Sequence, residues 1–146
     1  MGPARVIVFD TNVLSELIRP APAEAVIAWA RAQDPGTIFT TTICEAEIRY
    51  GVAIMPPGRK RSNLARAVEA MLYSVLAGRV LPFDRPAATE YAEWAAERRR
   101  AGKPVSIPDL QIASIARARR ASAIATRNTA DFADCGVAVI DPWATP

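Results

Sequence analysis

Four acidic residues stand where their side chains can do hydrolytic chemistry together: Asp10, Glu47, Asp109 and Asp131. Asp10 closes the apolar run Val6-Ile7-Val8-Phe9. A carboxylate at the carboxyl end of a buried strand sits where open parallel sheets keep their ligand sites. Glu47 falls in the first turns of the helix expected after strand two. Asp109 lies at a helix N-terminus, where the macrodipole favours a negative charge. Asp131 follows strand four in Thr126-Arg127-Asn128-Thr129-Ala130-Asp131. The loops after strands one and four leave a parallel sheet at the same edge. The four acids can therefore share one pocket, bordered by Thr11, Asn12, Thr126 and Asn128.

Several carboxylates a few ångströms apart repel one another, and some take up protons unless a cation neutralises them. Oxygen ligands select hard ions, Mg2+ or Mn2+, over zinc. Such an ion polarises a phosphoryl oxygen and lowers the pKa of an attacking water. Metal-assisted phosphodiester hydrolysis is thus the chemistry these residue types best support. The chain has no histidine, so the usual neutral-pH proton carrier is missing and the burden falls on the metal. Each acid alone also has a structural reading: Asp10 as a turn residue, Asp109 as a helix-end stabiliser, Glu47 as a partner of Arg49 or Arg127. What distinguishes the set is that one topology brings all four together. Glu45, roughly 200° around the helix from Glu47, cannot face the same pocket. It is assigned to a capping box with Thr42, and Glu47 is grouped with Ile43, Ala46 and Tyr50 on the inward side.

The elements that must position these residues alternate as strands and helices, the pattern of a parallel α/β sheet. Strands are expected at 6–9, 37–41, 80–83, 123–126 and 137–140. Helices are expected at 11–18, 23–33, 42–53, 61–76, 86–101 and 106–120. Pro82 marks the third strand as an edge or a strand end, Gly102 has the place of a helix C-cap, and Pro108 suits a first turn. About five strands flanked by helices on both faces make one domain over residues 1–146.

Composition agrees. Of 146 residues, 51% are hydrophobic, enough for a core that folds without staples. Cys44 and Cys135 are the two cysteines; with no C-x-x-C pair and no histidine partner they read as reduced packing residues of a cytoplasmic protein. No apolar run approaches the ~18 residues of a membrane span. The net charge of +3 understates a basic surface around an acidic pocket, an arrangement suited to a polyanion.

The blocks Phe9-Asp10-Thr11-Asn12-Val13-Leu14-Ser15-Glu16, Ala46-Glu47-Ile48-Arg49-Tyr50-Gly51, Pro108-Asp109-Leu110-Gln111-Ile112-Ala113 and Thr126-Arg127-Asn128 with Asp131-Phe132 resemble the PIN-domain family. Within it, the chain is similar to the ribonuclease toxins of VapBC-type, FitB-like toxin–antitoxin modules, over nearly its whole length. The resemblance implies a PIN-like fold and an endoribonuclease using Mg2+ or Mn2+ to cleave cellular RNA. It places Asp10, Glu47, Asp109 and Asp131 in the family's acidic positions and Thr11 and Asn12 in its adjacent polar ones. Asp10 and Asp109 are then direct metal ligands, while Glu47 and Asp131 hold waters or a second ion. Some relatives carry an acid near Asn128, and Asp134 competes with Asp131 for the last acidic role. A homodimer and a cognate DNA-binding antitoxin are implied as partners.

For RNA contact the candidates are Arg127 at the pocket rim and Arg98, Arg99 and Arg100 at a helix end, where positive charge also complements the dipole. Arg59-Lys60-Arg61 is expected in an open turn. Trp29, Trp94 and Trp143 read as core or interface residues. A phosphatase with a D-x-D nucleophile–acid pair is disfavoured because the second position is Asn12. A phosphate-receiver domain would want paired acids after strand one and a nearby lysine. The remaining alternative is a catalytically inactive PIN-like domain that acts as a binding or co-repressor partner of its antitoxin.

Overall fold

The structure, a computed structural model, describes residues 5–144; the first four and last two residues of the expected 1–146 span lie outside it. Ile7, Val8 and Phe9 are each at most 2% exposed. A strand buried on both faces must be covered from both sides. These residues form β1 (Ile7–Phe9), the middle strand of the sheet. With β2 (Ile38–Thr41), β3 (Val80–Leu81), β4 (Ala123–Ala125) and β5 (Ala138–Ile140) it builds a parallel sheet of order β3-β2-β1-β4-β5. Ile7 pairs with Ile38 on one side and with Ala123 on the other. The chain thus reverses direction of winding at β1, and the crevice between the ends of β1 and β4 is the topological switch point. Pro82 follows β3, which is an edge strand as expected.

Six α-helices flank the sheet among the described residues: α1 (Thr11–Leu17), α2 (Glu24–Arg31), α3 (Thr42–Ala53), α4 (Arg59–Ala70), α5 (Arg85–Arg100) and α6 (Ile107–Ala118). Local chemistry sets their ends. Asp10 caps α1, its carboxylate accepting from the Thr11 N–H. Asp84 and Ser106 cap α5 and α6, each helix with a proline in its first turn. Gly102, at φ +68°, follows the α5 C-cap in the left-handed region that favours glycine.

Three local expectations are corrected. The cap of α3 is Thr41, not Thr42: Thr41 is still extended at the end of β2, paired in register with Leu81, and its hydroxyl accepts from the Cys44 N–H at 3.1 Å. Glu45 is consequently free of a capping box and pairs with the Arg49 guanidinium at 2.8 Å. The one-residue shift also turns Cys44 and Ile48 inward, leaving Tyr50 66% exposed. Second, Arg59-Lys60-Arg61 forms the first turn of α4 instead of an open turn. Third, the helix expected to run to residue 76 widens into a π turn over Met71–Val75, where the Leu76 N–H reaches back to the Met71 carbonyl.

The core closes over these elements. Trp94 is 1% exposed, and the rings of Phe9 and Trp29 lie 5.2 Å apart. α5 packs along α6, and α3 touches α1, α4 and α6. Among the described residues no helix is long and apolar enough to cross a membrane.

Candidate active site

The strand-to-helix junction at Asp10 leaves a carboxylate only 3% exposed. A buried charge must be satisfied, and neighbours from two segments do so. Oδ2 accepts from the Thr126 hydroxyl at 2.6 Å and from the Asn12 amide at 3.2 Å. Oδ1 accepts from the Thr11 N–H at 2.8 Å. Burial still wins, raising the Asp10 carboxyl above its ordinary range against the opposing hydrogen bonds from Thr126, Thr11 and Asn12.

The polar surround is tied together across the switch point. The Asn128 N–H donates to Thr126 Oγ1 at 3.0 Å, and the Arg127 N–H donates to Asn12 Oδ1 at 3.2 Å. Asn128 therefore contributes through its backbone. The Thr11 hydroxyl donates to Glu47 Oε1 at 2.8 Å, so α1 and α3 are clasped at the pocket.

Asp109 occupies the first turn of α6, its N–H donating to the Ser106 cap at 3.4 Å. Its carboxyl is pushed up to about 7, first by burial, then by a hydrogen bond shared with Asp131, then by the charge of Asp10, against the Ser106 hydrogen bond. Asp131 reaches Asp109 from the 3-10 turn Thr129–Phe132. Asp134 lies in left-handed backbone at φ +62°, whereas the group that acts on Asp109 from this loop is Asp131. The four predicted acids thus meet as two pairs. Asp10 and Glu47 have ligand-capable oxygens within 4.8 Å of one another. Asp109 and Asp131 face them closely enough for the Asp10 charge to act on Asp109.

One participant was read from sequence only as packing. Cys44 is fully buried, yet its Sγ lies 3.9 Å from Asp10 Oδ1 and within 4.8 Å of the Asp10 and Glu47 ligand oxygens. Burial, then the Asp10 charge, pushes this thiol up to about 11. The available signal was its spacing of three residues from Glu47, which puts both on one helix face.

The donor set fits a hard divalent ion on its chemistry: carboxylate oxygens dominate, and burial, then Asp131 and Asp10, push the Asp109 carboxyl up to about 7 without a cation. Of the basic candidates, Arg127 is exposed beside this loop, its guanidinium 4.8 Å from the Trp143 ring centre. Arg98 is engaged structurally: it donates to the Lys103 carbonyl at 2.9 Å and the Ala133 carbonyl at 3.4 Å and lies over Trp94. Arg99 and Arg100 are exposed at the end of α5. Neither Arg49 nor Arg127 pairs with Glu47; Arg49 binds Glu45 and Glu69.

Residues 7–137 match the model of the PIN domain family. The chain is 41% identical over 138 residues to "VapC ribonuclease Y4jK" of Sinorhizobium fredii, covering 94% of this chain and 98% of that protein. It is 38% identical to "Toxin FitB" of Neisseria gonorrhoeae, over 94% of this chain and 99% of that one. Among solved structures, FitAB bound to an IR36 DNA fragment superposes with a TM-score of 0.89 at 37% identity, covering 97% of this chain and 98% of the other.

Proposed function

The chain belongs to the PIN domain family, and from that premise we propose that it is a metal-dependent endoribonuclease, the toxin of a toxin–antitoxin pair, folded as a single domain over residues 1–146. The observation that carries the reading is the meeting of Asp10, Glu47, Asp109 and Asp131 at the switch point of the sheet. Similarity to a VapC ribonuclease and to the toxin FitB supports it.

Asp10 and Asp109 would hold the ion, Mg2+ or Mn2+. Bound there, such an ion supplies positive charge that polarises a phosphoryl oxygen and acidifies an attacking water. The protein's own work is orientation. Thr126, Asn12 and the Thr11 N–H fix the Asp10 carboxylate through three hydrogen bonds, so it presents one geometry. Thr11 occupies Glu47 Oε1, which leaves Oε2 to accept from the attacking water. Asp131 faces the Asp109 carboxyl, and the proton that Asp109 carries leaves to solvent when Asp109 ionises to meet a cation. Arg127, with Arg99 and Arg100 further out, supplies positive charge for the RNA backbone; Arg98 adds charge while fastening α5 to the loops beside it.

Partners follow from the same relatives. FitAB is a complex that binds DNA, and by extension this chain pairs with a DNA-binding antitoxin and forms a homodimer in the cytoplasm, where its RNA substrate is found. Expression of the chain alone in a bacterial host should arrest growth, and Asp10→Asn should relieve the arrest. Arrest undiminished by Asp10→Asn would detach toxicity from the acidic pocket.

A further inference from the structure

Asp109 and Asp131 reach the pocket on segments that lie outside the sheet. Asp109 follows the stretch 101–106, which carries no helix or strand, and Asp131 sits in the 3-10 turn Thr129–Phe132. Two facing carboxylates repel whenever both are ionised, so their spacing has to be set by something beyond the pair. One guanidinium reaches both segments. Arg98 donates from Nε to the Lys103 carbonyl at 2.9 Å and from Nη1 to the Ala133 carbonyl at 3.4 Å. Lys103 stands three residues before Ser106, the cap of α6, and Ala133 stands two residues after Asp131.

The mount for this bridge is firm. Arg98 is half-buried in the last turn of α5, and its guanidinium lies 5.7 Å from the ring centre of Trp94, itself 1% exposed. A planar guanidinium holds its donors in fixed relative directions, whereas a lysine ammonium is a single point on a flexible stem. Arg117, about 12 Å along α6 from Asp109, donates to the Cys135 carbonyl at 2.9 Å and ties the same loop to the far end of that helix. The end that carries Asp109 is joined to the loop through Arg98.

We propose that Arg98 is a positioning residue of the acidic pocket: by bridging the Lys103 and Ala133 carbonyls it fixes the spacing of Asp109 and Asp131, and with it the pocket's affinity for a divalent ion. It acts through the two loops and not through contact with the metal or the RNA. The inference rests on the pocket being a metal site, and the experiment separates the two.

The test compares the metal-free protein with Arg98→Lys, which keeps the charge, and Arg98→Gln, which removes it, each checked by circular dichroism. Hydrogen exchange read by mass spectrometry should quicken in residues 101–106 and 129–135 together in both variants, with β1 and β4 unchanged. By calorimetry, Mn2+ affinity should fall about tenfold in both, the scale of losing a contact one step out from a metal ligand. In RNA cleavage at a Mn2+ concentration near the unsubstituted protein's Kd, Arg98→Lys should lower kcat several-fold and leave KM for RNA unchanged. Undiminished exchange protection and Mn2+ affinity in Arg98→Lys would overturn the proposal, as would variants in which only KM changes. Faster exchange spread over the whole chain would overturn it too, by making Arg98 a general stabiliser. Absence of Mn2+ binding by the unsubstituted protein would instead remove the underlying reading of the pocket, while the exchange data would still decide whether Arg98 couples the two loops.

Discussion

Asp109 carries the largest electrostatic load at the residue scale. Its carboxyl titrates near 7 in the folded chain against 3.8 ordinarily, burial being the main cause and Asp131 and Asp10 the others. Between about pH 4 and pH 7 the folded state therefore holds a proton that the unfolded chain has released. Stability from this group falls as pH rises through that window and stays at its lower level above it. In EDTA, Asp109→Asn should raise the melting temperature by a few degrees at pH 8, by less at pH 5, and leave it unchanged only at or below about pH 4. Divalent ions should raise the wild-type melting temperature at pH 8, less so at pH 6 where a proton competes, and have little effect on the variant. A variant no more stable than wild type at pH 8 would mean that the ionised Asp109 carries no cost from burial or from its acidic neighbours. Asp10 and Asp109 stand out in the sequence because one closes a strand and the other opens a helix, whereas Glu47 within α3 and Asp131 in the turn after β4 join them only through the topology. Cys44 does not stand out, since a lone thiol between apolar neighbours looks like packing until its distance to Asp10 is known.

Thr41 shows, at the scale of the element, how a site depends on where a helix begins. Thr41 and Thr42 are both competent caps, and Glu45 completes a capping box only for Thr42, so the sequence pattern favours the wrong residue. Pairing of Thr41 with Leu81 across β2 and β3 keeps Thr41 extended and starts the helix one residue earlier than that box requires. This register turns Cys44 and Ile48 inward and brings Glu47 to the Thr11 hydroxyl. Thr41→Val, similar in shape but without the acceptor for the Cys44 N–H, should cost about 1–2 kcal/mol in urea unfolding. Thr42→Ala, at an exposed position, should stay within about 0.5 kcal/mol. The reverse order would restore Thr42 as the cap. Strand and helix order was readable from alternating patterns and from Pro82, Gly102 and Pro108. The π turn after α4 was not, because an i→i+5 hydrogen bond leaves no signature in hydrophobic spacing.

The whole molecule sets a modest excess of positive charge, +3, around one acidic crevice. That contrast suits a polyanion whose backbone is held by arginines while a cation neutralises the reaction centre. Arg127 keeps its exposed place at the rim, whereas Arg98 fastens α5 to neighbouring loops, a distinction that composition cannot make. The position of the crevice followed from topology, since β1 and β4 are adjacent at the switch point. Its division into an Asp10–Glu47 pair and an Asp109–Asp131 pair needed side-chain geometry. The measurement that bears most directly on the account is RNA cleavage by the purified chain, freed of any partner, with Mg2+ or Mn2+, beside Asp10→Asn and Asp109→Asn. The account predicts fragments with defined ends that disappear with EDTA and with either substitution. Equal cleavage by the substituted proteins would contradict it.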